Sequence, residues 1–213
     1  MNVKGLIFDL DGVIVFTDKF HYQAWKKMAD QMGIYFDEEI NNRLRGVSRM
    51  ESLEIILERY EGTPLSAEDK QSMAEEKNNT YRELLKTMTP ADVTGEVRDT
   101  LRELKQKGYK LAIGSSSKNA RFILEKVELL DAFDAISDGN NITNSKPDPE
   151  VFIKASEYIG EKPEECIVVE DAYAGIDAAK AGGMLAAAIG DASSYDKADF
   201  VLNTFSDLLN IVE

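Results

Sequence analysis

An apolar run ending in Ile7 and Phe8 leads the chain into Asp9 and Asp11, two carboxylates separated by one leucine and followed by Gly12. Like charges this close repel, and they cost least when a divalent cation lies between them and keeps both ionised. A donor set made of oxygens with room for water favours Mg2+. A carboxylate in such a place can attack phosphorus and carry the phosphoryl group, while a second carboxyl gives and takes the proton of the leaving or entering hydroxyl. Side chains alternate along a strand, so Asp9 and Asp11 are expected on one face, with the Leu10 carbonyl joining the metal ligands.

Three later clusters carry matching chemistry. Ser115, Ser116 and Ser117 follow the apolar stretch KLAIG, Lys146 precedes Pro147, and Glu170 and Asp171 follow CIVV. Ser115 and Lys146 are suited to hold and neutralise the equatorial oxygens of a transferring phosphoryl group. Glu170 and Asp171 would complete a metal site with Asp9 and Asp11. Taken singly, each cluster has a plainer reading: a polar turn, a helix N-cap at Ser115, a solvated lysine, an acidic cap before the next helix.

The elements that must position these groups are readable from periodicity. Residues 17–90 repeat apolar positions three or four apart, in DKFHYQAWKKMADQMG, SRMESLEIILERY and SAEDKQSMAEEKNNTYRELLKTM, which predicts a helical lobe with almost no strand. From Val93 onward, amphipathic helices alternate with the short apolar runs YKLAIG, FDAIS, CIVVE and MLAAAIG. That alternation predicts a parallel sheet covered by helices, with VKGLIF as a central strand. The expected fold is α/β: a Rossmann-like core of residues 1–15 and 93–213, with an inserted α-helical cap of residues 16–92. In such sheets the ligand crevice lies outside the carboxyl ends of the strands, where all four clusters fall.

In order and spacing, FDLDGV, the serine after the second strand, SKPDP and VVEDAYAGIDAAKAGG resemble the four motifs of the haloacid dehalogenase superfamily of phosphotransferases. The resemblance covers the whole chain. It implies a Rossmann-like core, one Mg2+ held by Asp9, Asp11, Glu170 and Asp171, Asp9 as nucleophile, Asp11 as acid/base, and Ser115 and Lys146 at the phosphoryl group.

The inserted helices bear on the substrate, because a cap can close over a crevice and choose what enters. Thr17, His21 and Trp25 stand four apart on one helical face, and RGVSRMESL puts a glycine turn and two arginines before a helix whose N-terminus could hold an anion. Arg49 is suited to a phosphate fork. These stretches resemble the caps of sugar-phosphate mutases in the superfamily. The resemblance implies Thr17 and His21 as hinge residues that sense substrate, and Gly46, Val47, Ser48 and Arg49 as a grip on the distal phosphate. It also implies contacts from Trp25, from Lys77 in KNNTY, and from Ser116, Ser117, Lys118 and Asn119 to the sugar phosphate. Phe16 stands where members of that group commonly have Asp, and Arg45 where they have Lys.

The implied activity is interconversion of glucose 1-phosphate and glucose 6-phosphate through an aspartyl phosphate, with glucose 1,6-bisphosphate as activator and intermediate. Two homes for phosphate distinguish a mutase from a phosphatase, which needs one. A Mg2+-dependent sugar-phosphate phosphatase is the alternative, and a non-catalytic phosphosugar-binding regulator a third reading.

Composition sets the outer bounds. The 213 residues are 43% hydrophobic, enough for a sizeable core, and 25 Lys+Arg against 39 Asp+Glu give a net charge of −14. No field on such a chain attracts nucleic acid or an anionic membrane, so an anionic substrate needs a local basic pocket. One cysteine, Cys166, and one histidine argue against disulfide staples and Cys/His zinc sites. No apolar stretch is long enough to span a bilayer and no signal-type run opens the chain. A monomeric cytoplasmic enzyme working on small sugar phosphates is expected.

Overall fold

The structure is a computed structural model describing residues 2–44 and 47–212. Arg45 and Gly46, both singled out in the sequence, lie outside the described residues. The chain forms two compact units, one of residues up to Phe16 and from Met88 onward, the other Thr17–Thr87.

In the first unit the apolar runs become strands Gly5–Phe8 (β1), Lys110–Gly114 (β2), Ala135–Ser137 (β3), Cys166–Glu170 (β4) and Leu185–Ile189 (β5), and Phe200–Leu202 (β6) adds a sixth. All pair in parallel, in the order β3-β2-β1-β4-β5-β6. Every residue of β1 and β4 is buried, which is why their sequences are continuously apolar rather than alternating. The strand order reverses between β1 and β4, and a ligand crevice is expected outside the carboxyl ends of those two strands. Asp9, Glu170 and Asp171 emerge there.

Helices Gly95–Gln106 (α5), Ala120–Lys126 (α6), Glu150–Ile159 (α7), Tyr173–Ala181 (α8) and Leu208–Val212 (α9) belong to this unit. Its core joins Ile7, Ala112, Phe152, Val168, Ile176 and Ala186, with α7 against β1, β2 and β3 and α8 against β4 and β5. Cys166 is wholly buried in this core, and burial followed by the charges of Glu161, Glu165 and Glu164 pushes its thiol up to about 12. It packs in this core, and its Sγ donates to the Lys162 carbonyl at 3.3 Å.

The return into this unit comes at Met88, ahead of the Val93 boundary expected from the sequence. A 3-10 turn, Pro90–Asp92, is closed by the Thr89 amide donating to Asp92 Oδ2 at 2.8 Å, and Arg98 of α5 donates to the Pro90 carbonyl at 2.8 Å. These bonds fix the segment to α5.

The second unit holds helices Asp18–Gln31 (α1), Glu38–Asn42 (α2), Arg49–Leu57 (α3) and Ala67–Leu85 (α4). Trp25, Met28, Phe36, Leu53, Ile56 and Ala74 form its core, with α4 packed on α1 and α3. No helix among the described residues of either unit is long and apolar enough to cross a membrane.

Candidate active site

Asp9 stands one residue past β1, and its amide still donates to the Val169 carbonyl at 3.0 Å. There the ladder stops. The Leu10 carbonyl accepts from the amides of Ile14 and Val15, both at 3.0 Å, and the Gly12 amide donates to the Val15 carbonyl at 2.7 Å. Two expectations change as a result. Asp11 sits in a tight loop, so strand alternation no longer governs where its side chain lies. The Leu10 carbonyl has both lone pairs engaged by amides and is removed from the metal ligands. Gly12 turns this loop with φ of +88°, and a side chain there would overlap the Asp171 carboxylate.

Lys146 lies at the centre of the site. Its side chain is 2% exposed, and Nζ donates to Asp9 Oδ1 and to Glu170 Oε1, each at 2.5 Å. The second oxygen of Glu170 accepts from the Ala172 amide at 2.8 Å. Burial by itself would lower the ammonium's pKa, yet the carboxylates of Asp9 and Glu170 outweigh it and hold the pKa above its usual value. Lys146 is thus a buried bridge between two acidic groups, not the solvated lysine of the plainer reading.

Asp9, Glu170 and Asp171 place carboxylate oxygens within 4.8 Å of one another. Burial raises the pKa of Glu170 against the pull of Lys146. Burial, then the charges of Glu170, Asp9 and Asp11, push Asp171 up to about 8. Lys146 bonds two of these three crowded carboxylates, Asp9 and Glu170, and one ammonium leaves the cluster with excess negative charge that a divalent cation would offset. An all-oxygen donor set with this excess of negative charge fits Mg2+. The Asp11 carboxylate stands outside the group of three, although its charge reaches Asp171. That position leaves it suited to proton transfer more than to ligation.

Ser115 is 4% exposed, and its amide donates to the Ser137 carbonyl at 3.0 Å. Its Oγ accepts from the Ser117 amide at 3.2 Å, and Ser117 Oγ accepts from the Asn119 amide at 3.2 Å. Asn119, not Ser115, occupies the N-cap position of α6. The serines therefore brace the loop that carries Lys118. Ser116 Oγ is buried without a partner among the described residues.

The helical unit has a polar cluster of its own. Thr17 occupies the N-cap position of α1 without capping it through its side chain, and Oγ1 lies 3.0 Å from the Tyr81 hydroxyl. His21 stacks on Tyr81 with centroids 4.0 Å apart, and its Nδ1 is 2.9 Å from Lys77 Nζ. An ammonium donates, so Nδ1 accepts and the ring proton resides on Nε2. Lys77 Nζ also lies 4.4 Å from the Trp25 ring centroid. Trp25 is 2% exposed and part of the unit's core, so its expected contact with substrate gives way to packing and to support of Lys77.

Burial, followed by the charges of Lys77 and Arg49, holds His21 well below 6.5. The unfolded chain takes up this proton first. The stability that neutral His21 contributes is therefore complete above pH 6.5 and is lost as pH falls toward the folded-state value. Because the chain has one histidine, its imidazole resonance is unambiguous. It is expected to titrate well below 6.5 by NMR, and His21→Gln should flatten part of the stability loss in that window; titration at or above 6.5 would contradict the part-buried contact with Lys77.

The grip expected around α3 is altered. Ser48 and Glu51 form a capping box, with the Glu51 amide donating to Ser48 Oγ at 3.3 Å and the Ser48 amide to Glu51 Oε2 at 2.9 Å. Those two amides are taken, and Glu51 already brings negative charge to the helix N-terminus, so what Ser48 can still offer an anion is its hydroxyl hydrogen. Val47 is half-buried. Arg49 keeps its charge available, since its guanidinium donates at 2.8 Å to the neutral Asn78 amide oxygen. Asn78 and Tyr81 were not among the expected site residues. Their signal lay in KNNTY, where Lys77 and Tyr81 fall one turn apart on α4.

A parallel α/β core that gathers Asp9, Lys146, Glu170 and Asp171 at its strand ends defines a phosphoryl-transfer class, and comparison with known proteins agrees. The family model described as haloacid dehalogenase-like hydrolase matches residues 3–183, and the chain belongs to that family. It is 40% identical over 97% of its length to the β-phosphoglucomutase of Bacillus subtilis (strain 168), covering 92% of that protein. It superposes with a TM-score of 0.90 on the crystal structure of β-phosphoglucomutase from Clostridium difficile, at 39% identity and covering 97% of this chain and 93% of that one. A phosphorylated carbohydrates phosphatase of Thermotoga maritima is 34% identical over 85% of this chain and 82% of its own.

Proposed function

We propose that this chain is a mutase that interconverts β-glucose 1-phosphate and glucose 6-phosphate. The carrying observation is that likeness to a β-phosphoglucomutase, at 40% identity, spans 97% of the chain and so runs through the helical unit as well as the sheet unit. The residues of both units fit the chemistry. Starting with a phosphoryl group on Asp9, Asp11 removes the proton of the sugar's 6-hydroxyl, whose oxygen attacks phosphorus and releases the Asp9 carboxylate. The product is glucose 1,6-bisphosphate. When the bisphosphate is bound the other way round, Asp9 attacks the 1-phosphate, Asp11 returns the proton to the departing oxygen, and glucose 6-phosphate leaves with phospho-Asp9 restored.

Lys146 donates to Asp9 and is placed to offset charge as it spreads over the transferring group. Mg2+ held by Asp9, Glu170 and Asp171 would supply further neutralisation of phosphoryl oxygens. Ser115 braces the loop of Ser116, Ser117, Lys118 and Asn119, which we assign to the sugar phosphate. Arg49 is assigned to the phosphate that is not reacting, and Thr17, His21 and Lys77 to sensing bound sugar. The first phosphoryl group on Asp9 would come from glucose 1,6-bisphosphate.

The Arg49 assignment has a direct consequence. A charge-assisted hydrogen bond contributes about 1.5–3 kcal/mol, so Arg49→Ala should weaken productive phosphosugar binding by roughly 10–150-fold. Phosphorylation of Asp9 by acetyl phosphate, which has no second phosphate, should persist. Equal loss with both donors, followed by stopped flow, would move Arg49 to folding or to the core chemistry. The activity itself is tested by incubating the protein with Mg2+, β-glucose 1-phosphate and a trace of glucose 1,6-bisphosphate. Glucose 6-phosphate is expected; free glucose and inorganic phosphate would instead make the protein a sugar-phosphate phosphatase.

A further inference from the structure

The turn that follows β3 touches the Ser115–Asn119 loop through its backbone, and its own side chains determine that contact. The Gly139 amide donates to the Ser117 carbonyl at 3.3 Å, and Asn140 Nδ2 donates to the Lys118 carbonyl at 3.0 Å. Asn140 is held in turn by Asp138, whose Oδ1 accepts from the Asn140 amide at 2.9 Å and from Nδ2 at 3.0 Å. Asp138 is 3% exposed, and its other oxygen has no partner among the described residues. A buried carboxylate bonded on one oxygen, by Asn140, loses that compensation if Asn140 swings out, so the amide is locked in place. On its outer side the turn borders an open cavity of about 570 Å³ lined by Arg121, Asp134, Tyr158 and Asn140 among others. Hydrogen bonds, more than packing, therefore set its position.

We infer that Asp138 and Asn140 are positioning residues for phosphosugar binding, acting by anchoring the carbonyls of Ser117 and Lys118. In a trans peptide the N–H points opposite to the preceding carbonyl, so fixing these two carbonyls fixes the directions of the Lys118 and Asn119 amides and the bases of their side chains. The inference rests on the assignment of this loop to the sugar phosphate. Gly139 belongs to the same device, because a Cβ there would overlap the Ser116 carbonyl and displace the loop.

Asn140 is exposed, so Asn140→Ala should fold normally. It should raise KM for the sugar phosphate roughly three- to tenfold, the effect of losing the one side-chain hydrogen bond that reaches the loop, with kcat changed less. Phosphorylation of Asp9 by acetyl phosphate should be unaffected. Asp138→Ala should match or exceed the KM effect, and Asp138→Asn, which keeps an acceptor for Asn140, should recover most of it. A wild-type KM in Asn140→Ala, or equal impairment of acetyl phosphate and sugar phosphate, overturns the inference. If the wild-type protein hydrolyses sugar phosphates without isomerising them, the mutase reading fails separately, and the same KM comparison on hydrolysis still decides the role of Asp138 and Asn140.

Discussion

Asp9→Asn is expected to fold and to lose formation of the phosphoenzyme, with turnover reduced on the order of 10⁴-fold or more. An amide is a poor nucleophile toward phosphorus, and no other carboxylate replaces Asp9 on the Lys146 bridge. Glu170 shares that ammonium but is 1% exposed and tied to the Ala172 amide, while Asp171 is already pushed toward protonation by its neighbours. The fold should survive, because an asparagine oxygen can still accept from Lys146 and one of three crowded charges has been removed. Intact-mass measurement after exposure to acetyl phosphate reports the result. A phosphoryl adduct on the variant, with near-normal turnover, would place the nucleophile elsewhere.

Lys146→Ala carries the largest expected effect on stability. It removes the ammonium that Asp9 and Glu170 share and leaves buried carboxylates uncompensated, a change that typically costs about 3–5 kcal/mol. For a chain of this size that corresponds to a fall in Tm on the order of 10 °C. Added Mg2+ should recover more of the lost stability in the variant than it adds to the wild type, since the cation supplies charge to the same carboxylates. Phosphoryl transfer should be slowed in addition. Thermal unfolding with and without Mg2+ checks both parts, and an unchanged Tm in the metal-free protein would mean that the Lys146 bridge contributes nothing to the fold.

The strands that bury both faces are legible as continuous apolar runs, and the polar clusters after them mark the crevice. The sixth strand is not: Phe200–Leu202 is three residues long at a half-exposed edge, too short to show a period. Nor is α2, whose five residues are announced chiefly by the Asp37 cap. At the site, residue types pointed to the chemistry but local backbone decided the details. Asp9 and Asp11 look equivalent in FDLDGV, yet one ends a sheet ladder and the other sits in a glycine turn. Ser48 and its neighbours look like a row of open amides, yet Glu51 closes a capping box that engages the Ser48 and Glu51 amides. Trp25 shares a helical face with His21, but the side chains packed around it make it core. Asp138 and Asn140 carried no motif, since their connection to the loop before α6 runs through backbone carbonyls that sequence does not display.

The destination of the phosphoryl group on Asp9 is the central question, because mutase and phosphatase share every step up to that point. It can be followed by loading the protein with a labelled phosphoryl group from acetyl phosphate in the presence of Mg2+, removing excess donor, and adding β-glucose 1-phosphate. The expected result is label in glucose 1,6-bisphosphate and then in glucose 6-phosphate, with little inorganic phosphate formed while sugar is present. Release of the label as inorganic phosphate at a rate that sugar does not change would contradict the account.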